Sequence, residues 1–166
     1  SQQILHEGEP NDLPNEALVL SNPLPVDTPQ STMGPAYQIC PDHTAPSVPD
    51  VDSYKFTVTN PVTFIAQILY PVAQGDLDVY VFRMDADPVT GLPSPTEVGS
   101  DTTATDNGCV ELDNLGMGTY YVVITGTPVG VNMPGAYTMN NYNLRVFTVS
   151  QSGFTCANMS SQDGGT

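Results

Sequence analysis

Positive charge is what this sequence has least of. Only Lys55, Arg83 and Arg145 oppose eighteen Asp and Glu, leaving a formal net charge of −15 at pH 7 over 166 residues. A phosphate backbone or an anionic lipid surface would repel such a chain, so no nucleic-acid partner and no membrane insertion are expected. Trp is absent, His occurs only as His6 and His43, and Cys only as Cys40, Cys109 and Cys156. Neither His sits in a His-Glu-x-x-His pattern and no Gly-x-Ser-x-Gly elbow is present, so no catalytic residue is nominated and the chain does not read as an enzyme. The cysteines lack the Cys-x-x-Cys spacing of a zinc site. No apolar run approaches the roughly 20 residues that a membrane-spanning helix needs. No signal peptide opens the chain, which therefore reads as a mature or trimmed form.

What is abundant is turn-forming residues. Sixteen Pro and 14 Gly force frequent reversals, and hydrophobic residues make up 39% of a chain long enough for one domain with a sizeable core. Residues alternate in short runs at 53–59, 62–70, 79–84, 119–125 and 142–149, with weaker candidates at 36–40 and 109–112. In the first, Tyr54, Phe56 and Val58 share one face; in the second, Val62, Phe64, Ala66, Ile68 and Tyr70 do. Period-2 alternation in Val, Ile, Tyr, Phe and Thr predicts strands, and seven or more of them without a long helix predict an all-β, antiparallel β-sandwich. Residues 1–14 read as an extended acidic segment packing on the sandwich, 15–150 as the sandwich domain, and 151–166 as a polar tail. The stretch from Asp85 to Asp106, with Pro88, Gly91, Pro93, Pro95 and Gly99, reads as a long loop.

Two patterns point to chemistry. The first is oxygen-rich. Glu7, Glu9 and Asn11 alternate in a segment with poor helix potential, Asp12 follows, and a second acidic pair, Asp50 and Asp52, opens a predicted strand. Carboxylates and amide carbonyls are the ligands a hard cation such as calcium takes, although acidic residues near a chain end are more commonly just solvated. Asp85, Asp87, Asp101 and Asp106 lack the spacing of a loop motif and read as solvated charge, and Asp76 and Asp78 read as turn caps. The second pattern is aromatic. With Tyr120, Val122 and Ile124 turned inward, Tyr121 and Val123 face out; with Val79 and Val81 inward, Tyr80 and Phe82 face out, as do Ile65 and Leu69 of their own strand. If these strands are neighbours, Tyr80, Phe82 and Tyr121 form a partner-binding patch; otherwise a Pro-rich loop covers them.

Five motifs stand in a familiar order: Glu-Pro-Asn-Asp-x-x-x-Glu-Ala at Glu9–Ala17, Asp-x-Asp-x-Tyr-x-Phe at Asp50–Phe56, Gly-Asp-Leu-Asp-Val-Tyr-Val-Phe at Gly75–Phe82, Gly-Thr-Tyr-Tyr-Val-Val-Ile at Gly118–Ile124 and Tyr-Asn-Leu-Arg-Val at Tyr142–Val146. Together they resemble the bacterial pre-peptidase C-terminal domain family, which includes the collagen-binding domains of clostridial collagenases. The resemblance implies a jelly-roll β-sandwich appended to a secreted peptidase and calcium as its cofactor. It implies calcium ligands at Glu7, Glu9, Asn11, Asp12 and Asp52, with the main-chain carbonyl of Tyr54. Pro49 stands where the collagen-binding members carry another acidic ligand, so either Asp50 substitutes or one ion of a pair is missing.

These readings give a non-catalytic, calcium-binding accessory domain of an exported bacterial protein, secreted or periplasmic. Its partner would be an extracellular protein or polysaccharide, with a peptidase domain in the full-length precursor. The alternative is a carbohydrate-binding jelly-roll module; a stand-alone enzyme ranks third. An exported protein with three cysteines has room for one disulfide. Sequence does not say which two pair; strand-end positions favour Cys40 with Cys109 over Cys156 in the tail.

Overall fold

The structure is a computed structural model that describes residues 15–28, 37–39, 50–127, 140–150 and 153–159. Among the described residues nine strands run in chain order: β1 (Leu18–Val19), β2 (Tyr37–Ile39), β3 (Val51–Val58), β4 (Val62–Leu69), β5 (Leu77–Ala86), β6 (Pro93–Asp101), β7 (Gly108–Leu115), β8 (Gly118–Gly126) and β9 (Asn140–Val149). One 3₁₀ turn, Val72–Gln74, and one short helix, α1 (Cys156–Met159), complete the described elements.

The strands form two sheets, ordered β1-β3-β8-β5-β6 and β2-β9-β4-β7. From β2 onward every connection passes from one sheet to the other, except the β5–β6 hairpin. That order is the jelly roll, an all-β solution in which consecutive strands face each other across the core. The predicted β-sandwich therefore stands. Its one departure from antiparallel pairing among the strands is β1, which pairs parallel to β3 with Leu18 opposite Tyr54.

The alternation read from the sequence sets the core. Tyr54, Phe56 and Val58 point inward from β3, Phe64, Ala66 and Ile68 from β4, and Tyr120, Val122 and Ile124 from β8, all buried. Phe56 stacks on Phe64 of the opposite sheet with ring centroids 4.6 Å apart, and on Tyr120 at 5.4 Å. Burying a side chain of this size stabilises by about 1.5–3 kcal/mol, so this trio joins the two sheets at their centre.

The structure corrects the reading of 85–106 as a loop. β5 extends to Ala86, and 93–101 form β6, a strand containing Pro93 and Pro95. Proline removes a ladder donor, which a sheet tolerates at an edge, and β6 is the edge. Gly99 lets this edge close on the core: a Cβ there would lie 2.8 Å from the Leu112 side chain and 2.9 Å from that of Val110.

The pairing of Cys40 with Cys109 is also overturned. Cys109 on β7 is bonded to Cys156 on α1, 47 residues later. Cys40 lies outside the described residues. The reason is apolar: Phe154 and Met159 pack with Ile65, Phe147, Val149 and Cys109 on the outer face of the four-stranded sheet. Phe154 meets Phe147 edge-on, centroids 5.8 Å apart. The segment read as part of a polar tail is thus the cover over Ile65, which has no exposure.

Candidate functional site

The outer face of the five-stranded sheet is built from the alternate residues of β3, β8, β5 and β6. Register places them in three rows: Val51–Thr125–Asp78, then Ser53–Val123–Tyr80–Ser100, then Lys55–Tyr121–Phe82–Glu97. The strands that carry Tyr80, Phe82 and Tyr121 are neighbours, so these three residues are brought together. Tyr80 and Phe82 stack with centroids 6.1 Å apart. Ile65 and Leu69 belong to the other sheet and do not join them.

These rows do not make a flat aromatic platform. Tyr121 is only 7% exposed, and its ring sits in the wall of a groove. A cavity of about 170 Å³ is lined by Val51, Ser53, Phe82, Met84, Tyr121 and Val123, with Pro95 of β6. A second hollow of about 500 Å³ shares Met84, Pro95 and Tyr121 and runs on past Lys55 toward Val19 of β1. Val123 was legible as an outward position from alternation alone. Pro95 was not, because its strand was read as a loop.

Asp76, Asp85, Asp87, Asp101 and Asp106 are each held by a hydrogen bond or an ion pair, and Asp78 stands apart. Asp87 holds the β5–β6 turn, accepting from the backbone N–H of Val89 at 2.9 Å and of Thr90 at 2.7 Å, and these bonds lower its pKa. Asp106 accepts from the Val72 N–H at 2.7 Å, and Asp101 from the Cys109 N–H at 2.9 Å. Asp85 pairs with Arg83 at 2.9 Å in an exposed bridge. The single Tyr70 hydroxyl proton is shared between the Leu77 carbonyl at 2.8 Å and Asp76 Oδ1 at 3.0 Å. Burial is the main cause that drives the Tyr70 pKa upward.

Asp78, read as a turn cap, caps nothing. It is 7% exposed, and its Oδ2 accepts a long bond from the Tyr80 hydroxyl at 3.3 Å. Its Oδ1 is buried without a hydrogen-bond partner among the described residues. Burial first, and the nearby Asp76 carboxylate next, raise its pKa.

Of the calcium ligands drawn from the sequence, Glu7, Glu9, Asn11 and Asp12 lie outside the described residues. Asp50, Asp52 and Tyr54 lie at the start of β3. Asp52 is 3% exposed and its Oδ2 accepts from the Tyr142 hydroxyl at 2.5 Å. Tyr142 and Tyr54 share a hydrogen bond of 2.6 Å between their hydroxyls. Burial, then Tyr54 and Asp52, hold the Tyr142 hydroxyl far above the usual phenol range. Asp50 accepts through its backbone carbonyl from Thr125 Oγ1 at 3.3 Å. Among the described residues no three of His, Cys, Asp and Glu converge as a metal site. Asp50 and Asp52 therefore make no cage alone; one forms only if the N-terminal oxygens come to this end of β3. His6 and His43 are outside the described residues.

No family profile matches the chain. No curated protein matches it either. Among solved structures it is similar to the pre-peptidase C-terminal domain of a collagenase from Bacillus anthracis, with 16% identity over 69% of this chain and 89% of that one and a TM-score of 0.43. It is also similar to a protein of Sulfurospirillum deleyianum, with 7% identity over 68% of this chain and 99% of that one and a TM-score of 0.31. The first carries the name of the family that the five motifs resemble. The jelly-roll assignment rests on the strand order itself.

Proposed function

We propose that this chain is a non-catalytic binding module of an exported protein, which lays an extracellular polypeptide along the outer face of its five-stranded sheet. The observation that carries this reading is the groove of Val51, Phe82, Met84, Pro95, Tyr121 and Val123 on the outer face of the five-stranded sheet. A concave apolar site with few polar groups is the form that binding sites take. A carbohydrate platform needs aromatic rings laid flat and open, and Tyr121 is sunk into the groove wall. The Cys109–Cys156 disulfide supports an oxidising compartment, and hence a secreted or periplasmic location. In a larger precursor the module would serve a peptidase domain by holding polymer near it.

Calcium belongs to the same proposal. Its support is the alternation of Glu7, Glu9 and Asn11 with Asp12 after them, and the acidic pair Asp50 and Asp52 at the start of β3. The ion would neutralise clustered carboxylates and fasten the N-terminal segment to the sandwich.

The test for binding is retention on immobilised gelatin, compared with chitin and cellulose. Retention on gelatin that Phe82→Ala abolishes, with an unchanged far-UV spectrum, is the expected result. Retention on a polysaccharide and not on gelatin would transfer the protein to the carbohydrate-binding class.

A further inference from the structure

The row of the sheet next to the groove holds a buried carboxylate, one oxygen of which has no hydrogen-bond partner among the described residues. Asp78 occupies the row next to Tyr80 and Val123, so it lies one row along the sheet from the groove residue Val123 and four residues before Phe82, the nearest groove residue of β5. Among the described residues its Oδ1 is buried without a hydrogen bond, and its Oδ2 has the long Tyr80 contact alone. An ionised carboxylate in that state is strongly disfavoured unless a proton or a cation joins it. Asp76, two residues earlier on the same chain, adds negative charge, and Asp101 adds more from the end of β6.

We propose that Asp78, with Asp76, receives the ammonium group of a lysine side chain from the polypeptide bound in the groove. The identity of the occupant rests on the polypeptide-binding reading above; the cation preference of Asp78 does not. Two features choose an ammonium group over a calcium ion. Calcium takes six to eight oxygens, and no three acidic groups converge here among the described residues. An ammonium needs only three acceptors, and its four-carbon stem prefers an apolar wall such as Val123 provides in the next row. The stem would lie against Val123 and the charge at Asp78. A net charge of −15 draws a basic partner to this surface in the first place. Tyr80 stands over the carboxylate. Its 3.3 Å bond to Asp78 is longer than an ordinary hydroxyl bond, so it yields to a charged donor.

The test follows the Asp78 carboxyl carbon by NMR while the intact protein is titrated with n-butylammonium chloride. Sodium chloride at matched ionic strength and calcium chloride form separate arms. The expected result is a saturable shift with n-butylammonium that sodium does not produce, weakened several-fold in Asp76→Asn. A response equal to that of sodium overturns the proposal, and so does a response that calcium reproduces at lower concentration.

Gelatin supplies the second readout. Acetylating its lysines should weaken its binding to the wild-type protein by about tenfold or more. Asp78→Asn should bind native and acetylated gelatin equally weakly. An equal loss on acetylation for both proteins would overturn the assignment of Asp78. A protein that takes up n-butylammonium but ignores gelatin keeps the cation site and loses the polypeptide reading.

Discussion

The hydroxyls of Tyr54 and Tyr142 lie 2.6 Å apart in the closed interior, one reaching from each sheet. Tyr142 also donates to Asp52, so a chain of three polar groups crosses the core at the end where β3 begins. Tyr142→Phe keeps the ring and deletes the link. A buried carboxylate then loses a charge-assisted donor, and the protein should lose about 1–3 kcal/mol. The denaturant midpoint should fall with an unchanged slope, because the surface exposed on unfolding stays the same.

Asp78→Asn should stabilise the protein at neutral pH. The sign follows from linkage. The folded-state pKa of Asp78 is raised, so the folded form binds its proton more tightly than the unfolded chain does. That contribution is full below the unfolded pKa of about 4 and is lost as pH rises through the folded value. Ionised Asp78 is a burden that asparagine lacks. Melting curves of the two proteins should differ at pH 7 and converge as the pH falls below about 4.

Cys156→Ser, or reduction, should destabilise the protein by about 2–4 kcal/mol, since the bridge closes a 47-residue separation. It should also uncover Ile65 and Phe147, which raises binding of an apolar dye. Thiol counting in denaturant without reductant should find one free thiol, that of Cys40.

Tyr121→Ala should weaken binding and also lower stability, by about 2–4 kcal/mol, because this ring is nearly buried although it faces outward. Phe82→Ala is the cleaner probe, since Phe82 is more exposed and lines the same cavity.

Calcium should raise the melting temperature relative to chelator, through Glu7, Glu9, Asn11, Asp12 and Asp52. An ion bound only by the folded form stabilises it by about 2.7 kcal/mol at a hundredfold excess over its Kd. Wild type and Glu9→Gln/Asp52→Asn, melted in chelator and in millimolar calcium, give the comparison. If calcium leaves the wild-type curve unmoved, the acidic segment is no calcium site.

Alternation alone determined much of this protein. A side chain in a strand must face one side or the other. The inward set Tyr54, Phe56, Val58, Tyr120, Val122 and Ile124 follows from that rule, and so do Tyr80, Phe82 and Tyr121 as outward partners. Proline and glycine hid β6, because their local preference is for turns, and only an edge position in a sheet makes Pro93 and Pro95 acceptable. The disulfide was likewise a tertiary decision. Cys109 and Cys156 meet because Phe154 and Met159 seek an apolar cover over Ile65 and Phe147, a contact between distant segments that no local pattern encodes. The same holds for Asp78. Its sequence neighbours describe a turn cap, but its character comes from burial beside Tyr80 and from the charges of Asp76 and Asp101. Desolvation depends on what packs around a group, and packing is set only when both sheets have closed.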